Sequence, residues 1–156
     1  MQVKTGEAFL PHSPVLPIKT KRVVLAHVSL CSGCCCGAVE KGNPEVPIKW
    51  MKDEWKKCGL KNSVQLTISG CLGPCDLSNV VTISSAEQTV WLGCLGEVAN
   101  YAAVLEWALA TREAGRALRL PSELSELRFD PFRRADSVPV VSTANVVERA
   151  SGYFQK

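Results

Sequence analysis

Two short cysteine loops constrain this chain more than any other feature. CSGCCC carries Cys31 and Cys36 in the spacing CxxxxC, and about thirty-five residues later CLGPC carries Cys71 and Cys75 in the spacing CxxxC. Thiols grouped in two pairs on two glycine-containing loops are what a binuclear iron–sulfur centre requires, because each iron takes two sulfurs and the pairs converge from opposite sides. The fold must therefore deliver both loops to one place.

The chain has 156 residues, 46% of them hydrophobic and 21% charged, which predicts one globular domain with tails. Its 18 basic and 15 acidic side chains are largely interleaved, so the net charge of +3 gives no argument for a nucleic-acid partner. No apolar run approaches a membrane span. Prolines at 11, 14 and 17 interrupt the first segment and argue against a secretory signal. Without export, eight cysteines are expected as metal ligands or reduced thiols in the cytoplasm, not as a disulfide framework.

Along the chain, an N-terminal extension over 1–21 precedes RVVLAHVSL (22–30), a β-branched and apolar run that predicts a buried strand ending at Cys31. Pro44 and Pro47 introduce a helix in which Ile48, Met51, Trp55 and Cys58 share a face and Gly59 supplies the stop. Strands are expected over 63–69, 79–84 and 88–92, the last two as a hairpin through Ser85 and Ala86. Val98, Tyr101, Val104, Leu105 and Leu109 mark a second helix that ends near Gly115. This order predicts an α+β domain over 22–115, a thioredoxin-like mixed sheet of about four strands with two helices. Residues 116–156 read as a C-terminal extension, partly wrapped on the domain and disordered after about Asp136.

If the first two strands are neighbours, both cysteine loops open on the same edge of the sheet and their sulfurs can meet there. Gly33, Gly37, Gly70 and Gly73 permit the tight conformations that would aim backbone N–H groups at a negatively charged centre.

At these residues the chain resembles the thioredoxin-like [2Fe–2S] ferredoxins, which include the ferredoxin-like subunit of respiratory complex I. The likeness lies in CxxxxC, the long gap and SGCLGPC, and it covers roughly 22–112. A narrower likeness is to bacterial proteins described as (2Fe–2S) ferredoxin domain-containing, through Cys31 to Gly37, Cys71 to Cys75, Ser78 to Val81 and Trp91 to Gly93. The resemblance implies a [2Fe–2S] cluster held by Cys31 and Cys36 as one pair and Cys71 and Cys75 as the other. Cys34 and Cys35 depart from the family pattern, so Cys35 or Cys34 stands as an alternative second ligand. The resemblance further implies a one-electron carrier between redox protein partners, with a homodimer as one assembly and no independent catalysis.

Two other readings remain open on the residues alone. Four thiols also suit zinc or another soft ion, so a non-redox metal-handling protein, a metallochaperone or zinc-binding domain, is the first. Cys31 and Cys34 form a CxxC after a strand, the placement of a thiol oxidoreductase, although that leaves Cys71 and Cys75 without a role. Cys58, on the apolar face of the first helix, and Cys94, after the hairpin, read as structural residues. His27 reads as a hydrogen-bonded strand residue.

Overall fold

In the computed structural model of this chain, residues 20–133 are described. The expected N-terminal extension up to residue 19, and the C-terminal residues from 134, which include those after about Asp136 for which disorder is expected, lie outside the described residues. Five strands and three helices follow in the order β1 (Ala26–Cys31), α1 (Ile48–Lys57), β2 (Val64–Ser69), β3 (Val81–Ser85), β4 (Thr89–Leu92), α2 (Val98–Ala114), α3 (Ser122–Ser125) and β5 (Arg128–Phe129). The sheet runs β2-β1-β3-β4-β5. β1 pairs in parallel with β2, from Ala26 opposite Val64 to Cys31 opposite Ser69, and antiparallel with β3 on its other side. This is an α+β mixed sheet as expected from the sequence: a parallel β-α-β crossover joined to an antiparallel hairpin, with β1 lying between its parallel partner β2 and the hairpin strand β3.

β1 alternates as a half-covered strand does. Ala26, Val28 and Leu30 are buried and face the helices, while His27 points to the other face, where its Nε2 lies 2.7 Å from Thr67 Oγ1. α1 lays Met51 and Trp55 on the sheet, at 0% and 4% exposure. Each such side chain contributes about 1.5–3 kcal/mol by leaving water. The Trp55 indole N–H donates to the Val64 carbonyl at 2.7 Å, which ties the helix to the start of the edge strand. α2 buries Tyr101, Val104, Leu105, Trp107 and Ala108 at helical spacing. It stops at Gly115, whose φ of +66° is the left-handed cap that glycine adopts without penalty.

The structure differs from the sequence reading at strand boundaries and after Gly115. β1 begins at Ala26, four residues later than expected, and β3 begins at Val81, two residues later than expected, with Asn79 turned to loop groups. The fifth strand and third helix fall in a stretch without periodicity. Residues past Gly115 turn back along α2, where Trp107 Nε1 donates to the Leu118 carbonyl at 3.0 Å and the Leu118 N–H donates to Thr111 Oγ1 at 3.3 Å. Leu124 is then fully buried, and the Gly93 N–H donates to the Leu127 carbonyl at 3.0 Å as β5 joins β4. A two-residue strand is too short to announce itself by alternation. Among the described residues no helix is long and apolar enough to cross a membrane.

Candidate metal centre

Because β1 and β2 are parallel neighbours, the loops leaving their C-terminal ends emerge side by side. Cys31 is the last residue of β1, its N–H held by the Val80 carbonyl at 3.0 Å, and Ser32 donates to the Ser69 carbonyl at 3.1 Å. The chain then reverses. The Gly33 N–H donates to the Cys36 carbonyl at 3.0 Å, closing a tight turn with Gly33 at φ +98° and Cys34 at φ +54°. A cysteine in the left-handed region is uncommon and places Cys34 and Cys35 at the tip of the turn. The tip is anchored from behind: the Lys41 ammonium donates to the Cys34 carbonyl and the Asn43 amide to the Cys35 carbonyl at 2.8 Å.

That reversal sorts the thiols by depth. Cys31 and Cys36, at the base of the turn, are each 3% exposed. Burial, with the neighbouring Cys31 thiol, pushes the Cys36 thiol up to about 12. Cys34 is exposed and Cys35 half-buried.

The second loop is shaped by Gly73 at φ +116° and by Pro74. The Cys75 N–H donates to the Gly73 carbonyl at 2.7 Å and the Leu77 N–H to the Pro74 carbonyl at 3.1 Å, winding Cys75–Leu77 into a single helical turn. This brings Cys71 Sγ to 3.5 Å from Cys75 Sγ. Cys75 Sγ lies 3.9 Å from Cys34 Sγ across 41 residues of sequence, and Cys34 Sγ lies 3.9 Å from Cys35 Sγ. Hydrogen bonding with Cys71 and donation to Cys34 push the Cys75 thiol up to about 12. Two thiolates at about 2.3 Å from one tetrahedral ion sit about 3.8 Å apart, so these separations suit shared coordination without rearrangement of the loops.

Of the four expected ligands, the structure brings the sulfurs of Cys71 and Cys75 to 3.5 Å and buries both Cys31 and Cys36, with the Cys31 thiol raising that of Cys36. The two loops meet where Cys75 Sγ lies 3.9 Å from Cys34 Sγ. The tightest mutual group is different, however: the sulfurs of Cys34, Cys35 and Cys75 all lie within 4.8 Å of one another. The alternative ligands named from the sequence are thus placed at the surface of the same site. Cys58 closes α1, and Cys94 is exposed beyond β4.

Two of the glycines expected to aim N–H groups at the centre do something else. The Gly33 N–H is taken by the Cys36 carbonyl, and the Gly37 N–H donates to Asn79 Oδ1 at 2.8 Å. Asn79 is the residue that sequence reasoning passed over. It is fully buried, and its amide donates to the Pro44 carbonyl at 2.9 Å and the Leu95 carbonyl at 3.3 Å. A polar residue set just before an apolar strand, in SNVV, was the available signal. Behind the thiols stands Tyr101, whose hydroxyl is 3.5 Å from the Leu95 carbonyl and whose ionisation burial pushes up to about 12.

Gly93 supports the second loop by having no side chain. A Cβ there would come within 3.0 Å of Leu77 Cβ and 3.2 Å of its carbonyl oxygen, and the adjacent Cys94 N–H donates to that carbonyl at 2.8 Å. The end of β4 therefore presses directly on the turn that carries Cys75.

No protein family and no curated protein matches the chain by sequence. Among solved structures, it is similar to the thioredoxin-like [2Fe–2S] ferredoxin from Aquifex aeolicus at 17% identity and a TM-score of 0.43, over 69% of this chain and 99% of that one.

Proposed function

We propose that this protein is a one-electron carrier that holds a [2Fe–2S] cluster between its two cysteine loops. The observation that carries the reading is the convergence, at the C-terminal ends of two parallel strands, of a Cys31/Cys36 pair and a Cys71/Cys75 pair separated by a long stretch of chain. Each pair offers two sulfurs to one iron, and together they form a set of four soft donors suited to a cluster. When bound, the cluster supplies reversible uptake and release of a single electron.

The protein's own residues do the rest. Cys71 and Cys75 sit at the surface, where a redox partner reaches them, while Cys31 and Cys36 are shielded at the base of the turn. Asp76, directly after Cys75, adds negative charge and favours a lower potential. Because the apo thiols of Cys36 and Cys75 hold their protons, loading expels protons and grows more favourable with rising pH.

A specific observation supports a second reading. The mutual grouping of Cys34, Cys35 and Cys75 offers three thiols to a single soft ion without inorganic sulfide, as a non-redox metal-handling protein would need. Serine variants separate the two. On the cluster reading Cys31→Ser, Cys36→Ser, Cys71→Ser and Cys75→Ser each abolish the visible absorbance of anaerobically prepared protein, and Cys35→Ser retains it. Retention by Cys36→Ser with loss in Cys34→Ser or Cys35→Ser transfers the second ligand to the tip of the turn. Metal retention without sulfide in every variant except Cys34→Ser, Cys35→Ser and Cys75→Ser establishes the single-ion site instead.

A further inference from the structure

At the opposite end of the sheet from the cysteines is a cavity of about 510 Å³ between the last turns of α1, the approach to β1 and the edge strand β2. Lys21, Arg22, Lys52, Lys56 and Lys61 all line it, and no carboxylate does. The ion pairs found among the described residues, Lys49 with Asp53 and Lys57 with Glu54, engage none of the five. A chain with a net charge of only +3 thus gathers around one concavity five cations that have no ion pair among the described residues. The positive potential they sum to, weakened by solvent at these exposed positions, favours an anion in the concavity.

The cavity is not merely charged. Val24, Trp55 and Leu66 give it an apolar floor, and the amides of Asn62 and Gln65 stand beside that floor. Trp55 is held in place by its hydrogen bond to the Val64 carbonyl, so the floor is preformed. The volume falls in the range of small-molecule sites, about 300–1,000 Å³.

We infer that this cavity binds a small organic polyanion of the nucleotide class, with phosphates on the Lys and Arg rim, a flat body over Val24 and Leu66, and polar edges met by Asn62 and Gln65. The chain's own ends are poor occupants by charge. Residues 1–19 carry Lys4 and Lys19 against Glu7, and residues 134–156 carry Arg134, Arg149 and Lys156 against Asp136 and Glu148. The five steps from Ala26 to Cys31 along β1, at about 3.3 Å each, span about 17 Å, which separates this site from the thiols and makes the inference independent of the cluster.

The test is a titration of the full chain, followed by backbone amide chemical shifts, with ATP, inorganic triphosphate and a hexaglutamate peptide as probes. ATP is expected to saturate at one per chain, with shifts confined to 21–24, 52–62 and 65–66, and to bind more tightly than triphosphate. Lys52→Gln/Lys56→Gln is expected to weaken ATP about tenfold or more, corresponding to about 1.4 kcal/mol, with unchanged circular dichroism. Arg22→Gln/Lys61→Gln serves as an independent pair. Triphosphate binding as tightly as ATP, shifts spread over every surface lysine, unchanged affinity in both variants, or no saturable binding overturns the inference. Hexaglutamate displacing ATP from the same amides overturns it in favour of an acidic protein partner.

Discussion

Asn79 Oδ1 accepts the Gly37 backbone N–H at 2.8 Å across 42 residues of sequence, so a side chain two positions ahead of β3 holds the far end of the first cysteine loop. The same amide donates to the Pro44 and Leu95 carbonyls, and three loops are thereby fastened at one buried point. Asn79→Ala leaves one N–H and two carbonyls without their side-chain partner in a dry interior. A loss of about 2–4 kcal/mol is expected in urea unfolding, because each orphaned buried group costs about 1–3 kcal/mol. An unchanged midpoint would show that water or another group replaces the amide.

Gly93→Ala tests the pressure of β4 on the second cysteine loop. The added methyl meets Leu77 Cβ, Leu77 O and Phe129 Cε1 at 3.0–3.2 Å, and the backbone oxygen cannot swing away as a flexible side chain would. A cost of about 1–3 kcal/mol is expected, as for other overpacking changes. Amide shifts should change at 75–78 as well as at the substituted residue. Shifts limited to 92–94 would contradict the contact.

Tyr101 gives the fold an alkaline limit. The residue is 1% exposed, and burial raises the ionisation of its hydroxyl from 10.0 to about 12. An acid that holds its proton more tightly when folded contributes stability that is complete below the unfolded value and is lost as the pH rises toward the folded one. The chain should therefore lose stability between about pH 10 and 12, and Tyr101→Phe should lose less over the same window. Parallel urea midpoints for the two proteins measure the difference; equal slopes would assign the loss to other groups.

Much of this architecture is legible in the sequence because it depends on periodicity and punctuation. Met51 and Trp55 at helical spacing, the β-branched run leading to Cys31, and Gly115 after the second helix each declare an element through local chemistry. β5 and α3 do not, since their place depends on Leu124 finding the core and on Gly93 pairing with Leu127, contacts that no local pattern encodes. The candidate site divides in the same way. The cysteine spacings name the loops, but the depth of each thiol depends on the reversal at Gly33 and Cys34, which buries Cys36 and presents Cys34 to Cys75. Asn79 was hidden because its three partners lie on three different loops.

The most direct test of the central claim is the iron and acid-labile sulfide content of the full chain purified without oxygen, read together with its visible spectrum. About two irons and two sulfides per chain, with absorbance that bleaches on dithionite and returns in air, is the result expected of a [2Fe–2S] carrier. Zinc or another single ion held without sulfide, or metal-free protein with its thiols reduced and no absorbance after reconstitution with iron and sulfide, would contradict it.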